Sequence, residues 1–186
     1  DGRSLDPDGV GEEFAQHARE VHETDDRLND PTPLAQVEPS AYDAVVFPGG
    51  HGTVWDVNQD AHASAALREA VSGDDGVALV VCHAVGILAF TRDDDGESIA
   101  AGRSVTGFPN EWEAGIVDDD EVMPDGRKLP YRVEDEVRAV GADWDAELDA
   151  DTSVTVDGDL ITARGPPSSA AAAQTLLDTL GVDLPA

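Results

Sequence analysis

A single cysteine, Cys82, stands in 186 residues. One thiol excludes an internal disulfide framework and a cysteine-rich zinc centre. Lysine is equally scarce. Of 11 basic residues only Lys128 is lysine, against 40 acids, which leaves a formal charge of −29. That field repels phosphate backbones and anionic headgroups, so neither nucleic acid nor a membrane surface is expected as a partner. No apolar run approaches the roughly 20 residues that span a bilayer. A phosphate loop is missing too, because no Gly-Lys-Ser/Thr follows Gly49-Gly50, and the dinucleotide glycine spacing is absent. The acids around Asp93 to Asp95 resemble part of a calcium loop but lack the flanking helices and terminal Glu of an EF-hand. No metal and no cofactor are expected.

The acids that are present do not form one block. They are interspersed with periodic apolar segments, which excludes a disordered acidic tail. Acid excess with lysine nearly absent suits the surface of a protein from a salt-loving organism, where concentrated salt screens self-repulsion. The length suits one domain with a substantial core, residues 1–186, with a cytoplasmic setting expected.

The chain is organised around Gly76 to Phe90. Val77-Ala78-Leu79-Val80-Val81 is a run of five apolar residues that suits a parallel strand buried on both faces. Helix-tolerant residues Ala84 to Phe90 follow with no breaker between. Cys82 and His83 therefore fall on a sharp strand-to-helix turn, the geometry of a nucleophile elbow. Amides and the dipole of the following helix are expected to lower the thiol pKa. A free cysteine often merely packs. Here the neighbouring histidine and the position at a strand's carboxyl end, where open α/β sheets bind ligands, favour chemistry.

Taken in order, the chain opens on a loop, with a helix predicted from near Glu12 that places Phe14, Ala18 and Val21 on one side. An α/β domain that begins this way predicts a strand–helix–strand upstream of Asp1. Ala44 to Phe47 reads as a buried strand, and Gly49, Gly50 and His51 as a glycine turn whose amides approach a ligand. Asp60 to Val71 reads as a helix with Ala63, Ala66, Leu67 and Ala70 inward and His62 solvated. A strand is expected from Arg103 to Phe108, an acidic solvated loop from Asp118 to Asp125, and a helix from Leu129 to Val140 ended by Gly141. Trp144 to Asp151 reads as a connecting loop. Two β-rich runs around Asp157-Gly158 predict a hairpin, and Ser168 to Leu180 a closing helix stopped by Gly181.

Four motifs occur in order: Gly-Gly-His-Gly-Thr after a strand, Val-Cys-His-Ala at the elbow, Gly-Phe-x4-Glu, and Asp-Gly-x-Leu-Ile-Thr. In that order the chain resembles the ThiJ/PfpI superfamily, closest to its glutathione-independent glyoxalase III branch, also described as heat-shock chaperones. The resemblance implies a flavodoxin-like three-layer α/β sandwich with a mainly parallel sheet, the layering of class I glutamine amidotransferases. It implies Cys82 as nucleophile, His83 as its proton carrier, and Glu113 as the supporting acid, with Glu111 as the alternative. Gly49, Gly50, His51 and Ala84 would line the oxyanion and substrate site. The family also carries a glutamate beside the thiol on a helix near its N-terminus, and no segment of this sequence matches it. Gly165-Pro166-Pro167-Ser168-Ser169 replaces the family's Asn-Pro-Ala-Ser.

The implied reaction converts methylglyoxal or a related small 2-oxoaldehyde to a 2-hydroxy acid through a cysteine hemithioacetal, with repair of early glycation adducts as an associated activity. In this scheme His83, with a pKa near its ordinary value of about 6.5, moves the proton. A homodimer is implied. The alternatives are a stress-response chaperone, a redox sensor built on Cys82 oxidation, and an intracellular cysteine peptidase of the same superfamily.

Overall fold

The computed structural model describes residues 30–72, 76–123, 126–146 and 153–182. Two compact units divide the chain, Asp1–Glu38 and Pro39–Ala186. In the first, Pro33 leads into a 3-10 turn at Leu34–Gln36. The helix expected near Glu12 lies outside the described residues.

The second unit is built on a four-stranded sheet. In sequence order its strands are β1 (Ala44–Phe47), β2 (Val77–Val81), β5 (Val154–Asp157) and β6 (Leu160–Ala163), and in space they run β1-β2-β6-β5. The pairs β1–β2 and β2–β6 are parallel. Only β5 runs antiparallel, against β6, as the hairpin around Gly158 requires. All five residues of β2 are buried, because alternate side chains feed two cores. Ala78 and Val80 pack with Ala63, Leu67, Ala70 and Val71 of helix α1 (Ala61–Ser72). Val77, Leu79 and Val81 pack with Ile161, Ala163 and Ala172, the last from helix α5 (Ser169–Leu180). Helices on both faces of a mainly parallel sheet make the expected three layers.

The caps follow their sequence signals. Asp60 Oδ1 accepts the amides of His62 and Ala63 at 2.9 Å each and starts α1, with His62 exposed as predicted. Gly181, at φ 66°, ends α5 in the left-handed conformation.

Four expectations need correcting. The predicted strand from Arg103 to Phe108 contracts to β3 (Ser104–Val105), paired in parallel with β4 (Asp143–Trp144) inside a segment read partly as loop. Side chains continue the pairing that backbone leaves: Asp157 Oδ2 accepts the Ser104 amide at 2.8 Å and Thr162 Oγ1 the Thr106 amide at 3.0 Å. The helix predicted from Leu129 begins only at Val133, as α4 (Val133–Ala139). Pro130 disfavours helical backbone at the residue before it, and Arg132 is extended. Its inward residues are Val133 and Val137, whereas Val140 is half-buried. The acidic segment keeps Asp118 to Asp120 exposed, as expected of a solvated loop, but over its described part, 118–123, it is tied into an organised turn. Asp118 Oδ1 accepts the amides of Asp120 and Val122, Glu121 at φ 61° grips Arg132 at 2.7 Å, and Met123 is buried. Finally, the elbow continues as a 3-10 turn, Cys82–Gly86, before a four-residue helix α2 (Ile87–Phe90).

Candidate active site

Strand β2 delivers Cys82 to its carboxyl end with φ 60°. A side chain rarely occupies this region, and it persists only where surrounding structure holds it. Three contacts do so. The Phe108 amide donates to Cys82 O at 3.4 Å. Asn58 Nδ2 donates to His83 O at 2.9 Å. Gly49, at φ 97°, packs so closely that a Cβ there would lie 2.6 Å from Val81 O and 2.8 Å from Cys82 Cβ. Gly49 is thus glycine for conformation and for space. Behind the elbow, a Cβ on Gly107 would come within 2.8 Å of Val85.

From this bend Cys82 Sγ lies 3.2 Å from His83 Nδ1. On the ring's other side His83 Nε2 lies 2.8 Å from Glu113 Oε2. Helix α3 (Asn110–Glu113) supplies that carboxylate. Successive helical residues turn by about 100°, so Glu111 and Glu113 point to nearly opposite sides. Glu113 is buried and Glu111 exposed. Helix α3 is anchored to α4, where the Asn110 amide donates to Glu134 Oε2 at 2.8 Å and Asn110 Nδ2 to Asp135 Oδ1 at 2.7 Å.

Glu113 has a second partner, His51, whose Nε2 lies 3.1 Å from Oε1. The two imidazoles lie 3.8 Å apart, and Phe108 stacks on His83 at 4.2 Å with its ring edge-on to His51 at 5.7 Å. Burial opposes charge on Glu113, but the bonds from His51 and His83 and their nearby charge outweigh it and hold its pKa at about 2. An ionised carboxylate only accepts, so both Nε2 atoms carry hydrogen. In neutral His83 the remaining lone pair is then on Nδ1, facing the thiol. This is the tautomer that can take the thiol's proton.

Two electrostatic expectations are reversed. Burial raises the Cys82 pKa above its ordinary value and outweighs the lowering by the amides of His83 and Gly50; the Glu113 charge adds to the rise. The helix expected to acidify the thiol has only four residues, too few to build an appreciable dipole. His83 is shifted down rather than unshifted, chiefly by burial, which exceeds the opposing bond to Glu113. The resting pair is therefore neutral thiol and neutral imidazole, and the thiolate must form by proton transfer inside the pair.

Of the residues expected to line the site, Gly49 and Gly50 adjoin Cys82, the latter through its amide. Ala84 is fully buried in the 3-10 turn one residue beyond His83. His51 contributes its side chain, not only its backbone. Sequence reasoning gave no place in the site to Asn58, Phe108 or Gly165. A Cβ on Gly165 would sit 3.8 Å from the sulfur and 3.4 Å from the Trp112 ring. The Gly-Phe-x4-Glu stretch was a signal for Phe108, but nothing near Asn58 marks it. Among the described residues, His51, His83 and Glu113 also form a group able to hold a metal, with ligand atoms within 4.8 Å of one another. Also among the described residues, no helix is long and apolar enough to cross a membrane.

Known proteins share this arrangement's fold. Two Schizosaccharomyces pombe proteins named as probable glutathione-independent glyoxalases are similar. One is 30% identical over 145 residues, 76% of this chain and 62% of its own length. The other is 29% identical over 150 residues, 78% of this chain and 56% of its own length. The chain thus spans about three fifths of these curated relatives. A 24 kDa rapid encystment protein of Francisella tularensis superposes with a TM-score of 0.80 at 27% identity, over 96% of this chain and 78% of that one. Glyoxalase III from Candida albicans superposes with a TM-score of 0.76 at 24% identity, over 94% and 73%, which establishes the flavodoxin-like fold. Residues 10–179 match the DJ-1/PfpI family, a span that takes in both walls of the site, and the chain belongs to that family.

Proposed function

We propose that this protein is a glutathione-independent glyoxalase that converts small 2-oxoaldehydes, methylglyoxal among them, to 2-hydroxy acids. One observation carries the reading: the unbroken line from Sγ to Nδ1 at 3.2 Å and from Nε2 to Glu113 at 2.8 Å. The names of the two yeast relatives support it.

The thiol proton passes to His83 Nδ1 as sulfur adds to the aldehyde carbon. The resulting alkoxide takes that proton back, giving a neutral hemithioacetal. Nδ1, again a base, removes the hydrogen from the former aldehyde carbon, and an enediolate forms. Return of the proton to the neighbouring carbon, with the hydroxyl proton passing from the former aldehyde oxygen to the former ketone oxygen, leaves a 2-hydroxy thioester. Water then cleaves the carbon–sulfur bond, releasing the acid and restoring the thiol. Water is the only co-reactant, and the net oxidation state is unchanged. Glu113 stabilises the imidazolium at each transfer, and the Gly50 amide, which bonds the Cys82 sulfur, is the donor assigned to the oxyanion in this scheme. A buried neutral thiol resists adventitious oxidation, which favours this reading over a redox sensor. The setting proposed for this activity is the homodimer that the resemblance implies, in the salt-rich cytoplasm that the charge balance suggests.

The test is methylglyoxal consumption by the purified protein without glutathione, with the hydroxy acid product quantified. Cys82→Ser should abolish turnover while leaving the thermal transition cooperative. Wild-type turnover retained in that variant would defeat the reading.

A further inference from the structure

We propose that the same pocket binds a single Zn²⁺-class divalent transition ion between His51, His83 and Glu113, and that ion binding and catalysis exclude one another. The ion part stands on the donor set alone; the exclusion rests on the glyoxalase reading.

The donors are two imidazole nitrogens and a carboxylate oxygen, a set that suits Zn²⁺ with one position left for water. Their ligand atoms already lie within 4.8 Å of one another. What holds them together now is hydrogen: His51 Nε2 to Oε1 at 3.1 Å and His83 Nε2 to Oε2 at 2.8 Å. An ion on that spot replaces two N–H···O contacts with metal bonds, and little backbone need move. Access is through His51, whose side chain is 26% exposed, whereas those of His83 and Glu113 are 1% and 3% exposed. The net charge of −29 raises the cation concentration at the surface.

Exclusion follows from the valence of imidazole. A neutral ring has one N–H and one lone pair. In the tautomer described above, His83 keeps its lone pair on Nδ1, 3.2 Å from Cys82 Sγ. To ligate through Nε2, each ring moves its single proton to Nδ1. The Nδ1–H of His83 then points at the sulfur, the donor contact that metal-bound histidines usually make. The nitrogen that would receive the thiol proton is thereby filled. Cys82 sits on the Nδ1 side of the ring and the ion on the Nε2 side, so sulfur is not a ligand.

Chelator-treated protein should be titrated with Zn²⁺ by calorimetry and with Co²⁺ by absorbance, in excess Mg²⁺ to occupy surface carboxylates. One ion per chain is expected, with d–d bands and no thiolate-to-cobalt charge-transfer band. Cys82→Ser should keep the stoichiometry. Partners that merely orient a ligand are worth roughly 10–100-fold in metal affinity, so His51→Ala, which removes a ligand, should weaken binding about 100-fold or more. No saturable binding overturns the proposal, as does a charge-transfer band, loss of binding in Cys82→Ser, or unchanged affinity in His51→Ala. The wild-type cobalt spectrum decides the matter even if a variant misfolds. Where methylglyoxal turnover is present, stoichiometric Zn²⁺ should suppress it and chelation restore it; turnover undiminished with the site filled overturns the exclusion. A protein that binds the ion but never turns over 2-oxoaldehyde leaves the site standing and removes only the glyoxalase reading.

Discussion

Asp118 and Glu113 lie five residues apart, and each carboxylate serves two N–H groups, yet they belong to different chemistries. Asp118 is exposed and takes the backbone amides of Asp120 and Val122, tying a surface turn. Asp93 does the same for Asp95 and Glu97. Glu113 is buried and takes two imidazoles from segments 62 and 30 residues away. Water competes for every contact of the surface acids, so their bonds are worth little. Around Glu113, whose side chain is 3% exposed, water competes little, and an unpaired His83, 1% exposed, would bear most of its desolvation cost.

The sharpest way to break this comparison is to remove each acid. Glu113→Ala should lower 2-oxoaldehyde turnover by about two to four orders of magnitude and depress the melting temperature, since two imidazoles lose their acceptor. Asp118→Ala should leave turnover intact and cost about 1 kcal/mol or less. Equal losses in paired assays would show that burial does not separate the two sites.

Glycine offers a second contrast of the same kind. Gly49 and Gly126 both have positive φ, at 97° and 84°, but only Gly49 has atoms within 3 Å of a notional Cβ, while Gly126 has none within 4 Å. Gly126→Ala should cost about 1 kcal/mol of backbone strain. Gly49→Ala adds a backbone clash, so it should cost several kcal/mol and displace the elbow, read as a larger melting shift and slower alkylation of Cys82.

Stability against pH sharpens the comparison further. His83 binds its proton less tightly when folded, so stability begins to fall as pH drops below the unfolded value of about 6.5. Glu113, lowered to about 2, contributes stability that is full above its unfolded value and lost as pH falls through about 4.3 toward 2. Cys82 is shifted up, so above about pH 8.5 the unfolded chain releases that proton first and stability falls again. Melting temperature should therefore peak between these limits. Cys82→Ser should flatten the alkaline side, and Glu113→Gln the acid side. The smallest effect belongs to Glu111→Gln, on the exposed side of the same short helix, expected within about 0.5 kcal/mol and without effect on turnover.

Local patterns made the scaffold legible. Five apolar residues in a row announced β2, Asp60 announced the start of α1, and Asp157-Gly158 announced the hairpin. Motif order pointed to Cys82, His83 and Glu113, and the structure brings those three together. What stayed hidden depends on distance along the chain. His51 meets Glu113 across 62 residues, and no local period records such a meeting. β3 and β4 are two residues each, too short for alternation to show. The direction of the thiol shift sums burial from several elements against two amides, and only packing fixes that sum. Pro130 was readable as a breaker, and the predicted helix should have begun after it.

The backbone at Cys82 carries a further consequence. At φ 60° the position suits glycine better than any residue with a side chain. Natural drift toward an unstrained backbone would therefore delete the thiol, and a chain that keeps sulfur there trades folding stability for reactivity.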